Sequence, residues 1–173
     1  MKKKSESYRM MNATMHINRV IIRNVNMSSN VNEFAEEFDD MIVISLIDLL
    51  SDYDQIALNE RDRDMTAIQT LLRLLRQTTV LQETINSMTQ FVRITKKILR
   101  DIISEKKRVF LDDIEIKDSR DDYDNKKAML DVRKYVLKHL QNLDKTLYLL
   151  KLSDAVISTS KSQFLKKEIR IVK

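Results

Sequence analysis

Residues 81–102 read LQETINSMTQFVRITKKILRDI, and Leu81, Ile85, Met88, Val92, Thr95, Leu99 and Ile102 step through them by fours and threes. That is the heptad rhythm of a helix with a single apolar seam. Upstream, Met65, Ile68, Leu72 and Leu75 begin a similar stripe behind Asp64, a residue type suited to an N-cap. The spacing predicts helix over 65–108, either as one rod or as two pieces joined near Thr78 and Thr79.

Two more stripes flank this one. Asn30 and Glu33 occupy capping-box positions, and Val31, Phe34, Phe38, Met41, Ile42, Leu46, Leu49 and Leu50 follow at helical intervals. They predict a helix over 31–52. Met129, Val132, Val136, His139, Leu143, Leu147 and Leu150 predict another over 120–152. Residues 54–64 are polar and read as a connection or a frayed helical turn. Over 109–119, Ile114 and Ile116 alternate with acids, which suggests a loop with a short extended piece.

Composition points the same way. The 173 residues include no Gly, no Pro and no Cys, where average usage gives roughly a dozen Gly and about nine Pro. Favoured hairpin turns and phosphate-cradling loops lean on Gly. Without Cys there is no disulfide, no thiolate metal site and no thiol nucleophile. The expected fold class is therefore all-α: an elongated antiparallel helical bundle, or coiled-coil-like hairpin, of three to four helices. In that organisation residues 1–27 form a basic arm, 28–152 the bundle and 153–173 a basic tail. The bias toward Ile, Lys, Asn, Asp and Met resembles AT-rich coding, for which viruses, parasites and organelles are typical sources.

Charge is segregated along the chain: residues 28–64 carry a net −9 and residues 65–111 a net +6, within an overall +5. Helices of opposite sign favour each other's fields, although an exposed ion pair contributes only about 0–1 kcal/mol. Arg93, Lys96, Lys97, Arg100 and Lys107 fall along one side of the second predicted helix, a face suited to an anionic partner. Lys2, Lys3 and Lys4 offer further contacts from the arm. The bland reading of that stripe is a solvated face opposite a core seam, and no aromatic residues are interleaved with it for base stacking.

No catalytic constellation stands out. Serines lack a Gly-framed elbow, and neither His16 nor His139 follows a glutamate in the pattern of bundle metal sites. His139, on an apolar stripe, reads as a core-edge residue hydrogen-bonded to a neighbour. The expectation is a non-enzymatic helical interaction, scaffold or assembly protein with a protein partner or self-association. It has no cofactor, no metal and no small-molecule substrate. The alternative is a nucleic-acid-associated helical protein, such as a packaging factor or a ribosome- or polymerase-bound subunit. The longest apolar stretch, 41–50, contains Ser45 and Asp48 and is too short to span a bilayer. With no signal peptide evident, a soluble intracellular protein is expected.

Overall fold

The computed structural model describes residues 14–24, 40–100, 107–110, 113–118 and 120–169. Its helices are α1 (Met15–Val20), α2 (Glu60–Arg63), α3 (Ser87–Ile98) and α4 (Lys134–Leu152). Its strands are β1 (Ile44–Asp48), β2 (Ile68–Gln69), β3 (Leu74–Leu75), β4 (Lys107–Phe110), β5 (Asp113–Lys117), β6 (Lys127–Met129), β7 (Val132–Arg133) and β8 (Gln163–Lys166).

Four strands form one antiparallel sheet in the order β4-β5-β1-β8, and β2-β3 and β6-β7 form two small hairpins. Along the chain the main elements run β1-α3-β4-β5-α4-β8. Each helix joins two parallel strands that have a third strand inserted between them. This is the split βαβ arrangement of a ferredoxin-like βαββαβ layer pair.

The sheet buries one face under α3 and α4. Ile47 on β1 and Ile114 and Ile116 on β5 meet Phe91, Val92 and Leu99 from the α3 segment and Leu143 and Leu150 from α4 in a single core. Tyr53 tilts against Phe91, with ring centroids 5.6 Å apart, a separation at which aromatic pairs attract beyond their area burial.

The all-α expectation is thus corrected to mixed α/β, and the coiled coil and bundle fall with it. The predicted helix over 31–52 is a strand from Ile44 to Asp48; its first part, 31–39, lies outside the described residues. Met41, Ile42, Leu46 and Leu49 do fall at helical intervals. However, Ile44, Ser45, Leu46 and Ile47 are all buried, as in a strand covered on both faces, and a short apolar run does not distinguish the two forms. The helix expected over 65–108 shrinks to α3, preceded by the β2-β3 hairpin and followed by β4. The one over 120–152 keeps its second half as the 19-residue α4, where His139, Leu143, Thr146 and Leu150 are buried. Residues 163–166, in the expected tail, are the sheet strand β8.

Turns without glycine are made by other means. Asp40, Ser51, Asp124, Asn125, Asp131 and Asp154 all take positive φ, and Asp and Asn bear that conformation better than most residues because their short side chains hydrogen-bond locally. At the end of α4, Asp154 has φ 56°. The Ala155 N–H bonds back to the Leu150 carbonyl at 3.0 Å, and the Asp154 N–H to that of Lys151 at 3.1 Å, which makes a Schellman cap at a position that favours Gly. Asp154→Gly is expected to raise stability by about 1 kcal/mol, read from urea unfolding midpoints. Lower stability would mean that the aspartate stabilises the cap by another route.

Candidate active site at one end of the sheet

Beside the turn between β4 and β5, strand pairing sets two carboxylates opposite each other. Phe110 pairs with Asp113, leaving residues 111 and 112 as the whole connection. These two lie outside the described residues. On its other side β5 pairs with β1 so that Asp113 stands directly opposite Asp48. Strand alternation then sorts the side chains. Ser45, Ile47, Ile114 and Ile116 face the helices, whereas Leu46, Asp48, Asp113, Glu115 and Lys117 share the opposite face.

Asp48 is held from a third direction by the α4-β8 connection. Its N–H donates to Ser162 Oγ at 3.1 Å, and its carbonyl accepts from the Ser158 N–H at 2.8 Å. Lys161 Nζ lies 3.2 Å from Asp48 Oδ1, whose side chain is 19% exposed. Asp48 is thus fixed through its backbone and presents a partly open carboxylate that already attracts one cation.

Deeper on the same face sits Glu115, 1% exposed. Neither of its carboxylate oxygens finds a hydrogen-bond partner among the described residues. Burial pushes its pKa up to about 8, Asp113 adds to the rise, and Lys117 opposes it.

On the helix-covered face lies a second polar cluster. Ser45 Oγ is 2.7 Å from His139 Nε2. His139 Nδ1 is 3.1 Å from Asp118 Oδ2, a close contact whose alignment falls short of a good hydrogen bond. Asn142 donates to the other Asp118 oxygen at 2.6 Å. The order of groups is that of a nucleophile triad, but His139 and Ser45 are 0% exposed, so no substrate reaches the hydroxyl. His139 is a buried core residue bonded to its neighbours.

The sequence-predicted basic face is only partly assembled. Arg93, Lys96, Lys97 and Arg100 are exposed on the outer side of the α3 segment, opposite buried Phe91, Val92, Thr95 and Leu99. This outer side points away from the Asp48 and Asp113 face. Lys107 begins β4 instead of extending the helix, and Lys2, Lys3 and Lys4 lie outside the described residues. Sequence reasoning missed Asp48 and Asp113. The available signal was an acid pair, Asp112-Asp113, inserted between the apolar pairs Val109-Phe110 and Ile114-Ile116. Among the described residues no three His, Cys, Asp or Glu side chains converge to hold a metal ion, and no helix is long and apolar enough to cross a membrane.

No family model and no curated protein matches the sequence. Solved structures do match the fold. The foamy viral protease-reverse transcriptase in complex with double-stranded DNA aligns at a TM-score of 0.79 and 19% identity, covering 98% of this chain and 27% of that one. The selenomethionine-labelled CSH mutant of the prototype foamy virus protease-reverse transcriptase aligns at 0.76 and 18%, covering 95% and 20%. The foamy viral enzyme with an RNA/DNA hybrid aligns at 0.72 and 19%, covering 90% and 19%. The chain therefore spans about a fifth to a quarter of the length of these structures. The expectation of a protein that is not an enzyme is corrected by this comparison, since the structures sharing the fold are those of an enzyme.

Proposed function

We propose that the chain is the nucleotidyl-transfer core of a reverse-transcriptase-like polymerase, with a nucleic-acid template and primer as its partners. The observation that carries the reading is the register that sets Asp48 opposite Asp113 beside a two-residue hairpin, within a fold matched by protease-reverse transcriptase chains. Mg²⁺ is commonly held by one or two carboxylates, with substrate phosphates and water completing its shell. Asp48 and Asp113 fit that need, and the Lys161 ammonium beside Asp48 marks where positive charge settles. Asp112, adjacent in sequence, is a further carboxylate of the same hairpin. A bound divalent ion would offset charge on the phosphoryl group in flight and favour the attacking oxygen as a nucleophile. The chain's own part is positioning: the cross-strand register sets the separation of the two carboxylates, and Ser158 and Ser162 fix the backbone of Asp48.

The names of the matched structures carry two activities, and the site favours polymerisation over proteolysis. An acid-protease dyad is two carboxylates sharing one proton, whereas Asp48 is ion-paired with the Lys161 ammonium at 3.2 Å.

The test is primer extension by the full chain, with an RNA or DNA template, a labelled primer and Mg²⁺ or Mn²⁺. Metal-dependent incorporation supports the reading. Cleavage of a peptide library without incorporation would favour the proteolytic activity, and binding without turnover is what a non-enzymatic interaction protein gives.

Each phosphate neutralised on duplex DNA adds about 0.9 to the salt slope of binding. Replacing Arg93, Lys96 and Lys97 with Gln, on the side away from the carboxylates, is expected to change that slope by less than about one unit. A flattening of two to three units, measured by fluorescence anisotropy across a salt series, would place nucleic acid on the helical face instead.

A further inference from the structure

The buried Ser45, His139 and Asp118 cluster serves no chemistry in its sealed position, yet it touches every element that frames Asp48. Ser45 lies on β1, His139 and Asn142 on α4, and Asp118 immediately follows β5. The cluster also reaches β8: the Leu165 N–H donates to Ser45 Oγ at 3.0 Å. Leu165 needs such a tie. It has φ 54°, a costly conformation for a bulky side chain, and it lies where the β1-β8 register shifts between Ile44 and Leu46. Just before β8 come Ser158, Lys161 and Ser162, the three residues that hold Asp48.

We propose that His139 is a positioning residue for the carboxylate site, acting through Ser45 to pin the Leu165 bulge and thereby the 158–162 connection against Asp48. The chain of contacts runs from Asp118 to His139, to the Ser45 hydroxyl, and to the Leu165 amide. With Leu165 N–H donating to it, Ser45 Oγ orients its own hydrogen by way of His139, and His139 in turn is set by Asp118. Loss of the imidazole leaves the serine free to turn and the bulge free to relax. Ser162 and Lys161 are then no longer delivered to Asp48. The role in catalysis rests on the polymerase reading; the structural coupling does not.

The experiment compares His139→Ala with Leu143→Ala, a core truncation on the same helix, at temperatures chosen so that both are equally far below their unfolding midpoints. Amide hydrogen exchange is read at Leu165, Ser158 and Ser162, and primer extension is read as kcat and KM separately. His139→Ala is expected to speed exchange at Leu165 and Ser158 at least tenfold more than Leu143→Ala does. It should also lower kcat with little change in the KM for nucleotide, while His139→Gln, which can still bond Ser45, recovers part of both. Equal exchange in the two variants would overturn the proposal and leave the polymerase reading untouched. Selective exchange in His139→Ala, with no incorporation by any variant or by the unaltered chain, would support the coupling and remove the polymerase reading.

Discussion

Asp48→Asn is expected to abolish primer extension while leaving the protein folded. Asparagine keeps an oxygen that can accept from Lys161, and the backbone bonds of Asp48 to Ser158 and Ser162 do not involve its carboxylate. What disappears is the negative charge that would attract a divalent ion. Deleting a single well-placed electrostatic group commonly costs about 10²–10³ in turnover. A residue that holds the ion directly should lie at or beyond the upper end, and Asp113→Asn should behave alike. The check is single-turnover incorporation beside circular dichroism of the same samples. Asp48→Asn retaining more than about a tenth of the activity would exclude this carboxylate from the chemistry.

The second large effect concerns stability and has the opposite sign. Glu115→Leu is expected to make the metal-free protein more stable at pH 9 by about 3 kcal/mol, discounted from the full shift because denatured chains are themselves partly collapsed. The reasoning is linkage. The carboxyl's folded pKa, about 8, lies above its ordinary value of 4.5, so between these limits the native state binds more protons than the unfolded chain. Its favourable contribution is complete below pH 4.5 and is lost as pH rises through 8. The original chain should therefore weaken steadily over that window relative to Glu115→Leu, with the two converging at acid pH. Urea unfolding in chelator, repeated across pH, gives the comparison. Parallel pH curves would show that Glu115 ionises freely in the folded protein.

The end of α4 was readable in the sequence: Leu143, Leu147 and Leu150 keep helical spacing over a long enough run that periodicity decides. The β4-β5 hairpin was not. Two-residue hairpin loops are recognised by Asn-Gly or Asp-Gly, and here Leu111-Asp112 fills the place, so the turn gave no signal. Absence of Gly does not exclude sheets in this chain. Asp131, Asp154 and even Leu165 stand at positive φ without it, at a conformational cost that tertiary burial offsets. β1 failed for a different reason. Buried on both faces, Ile44 to Ile47 shows no alternation, and a stripe counted in threes and fours passes through it by coincidence. The pairing of Asp48 with Asp113 joins segments far apart in the chain, and local pattern carries no information about such a contact.

That separation has a consequence for how the protein comes into being. β1 pairs Leu46 with Gln163 on one side and with Glu115 on the other, so the central strand receives its last neighbour only after nearly the whole described chain exists. Pairings this distant in sequence close slowly. During synthesis β1 is exposed along one edge, and an unpaired apolar edge is a template for joining other chains. Because Lys161 and Ser162 arrive with that final strand, the arrangement around Asp48 is among the last features to form. A ribosome-arrested chain ending before residue 158 should already bury Phe91 and Ile114 yet aggregate through β1, and emergence of β8 from the ribosome should mark the moment when both the edge and the site close.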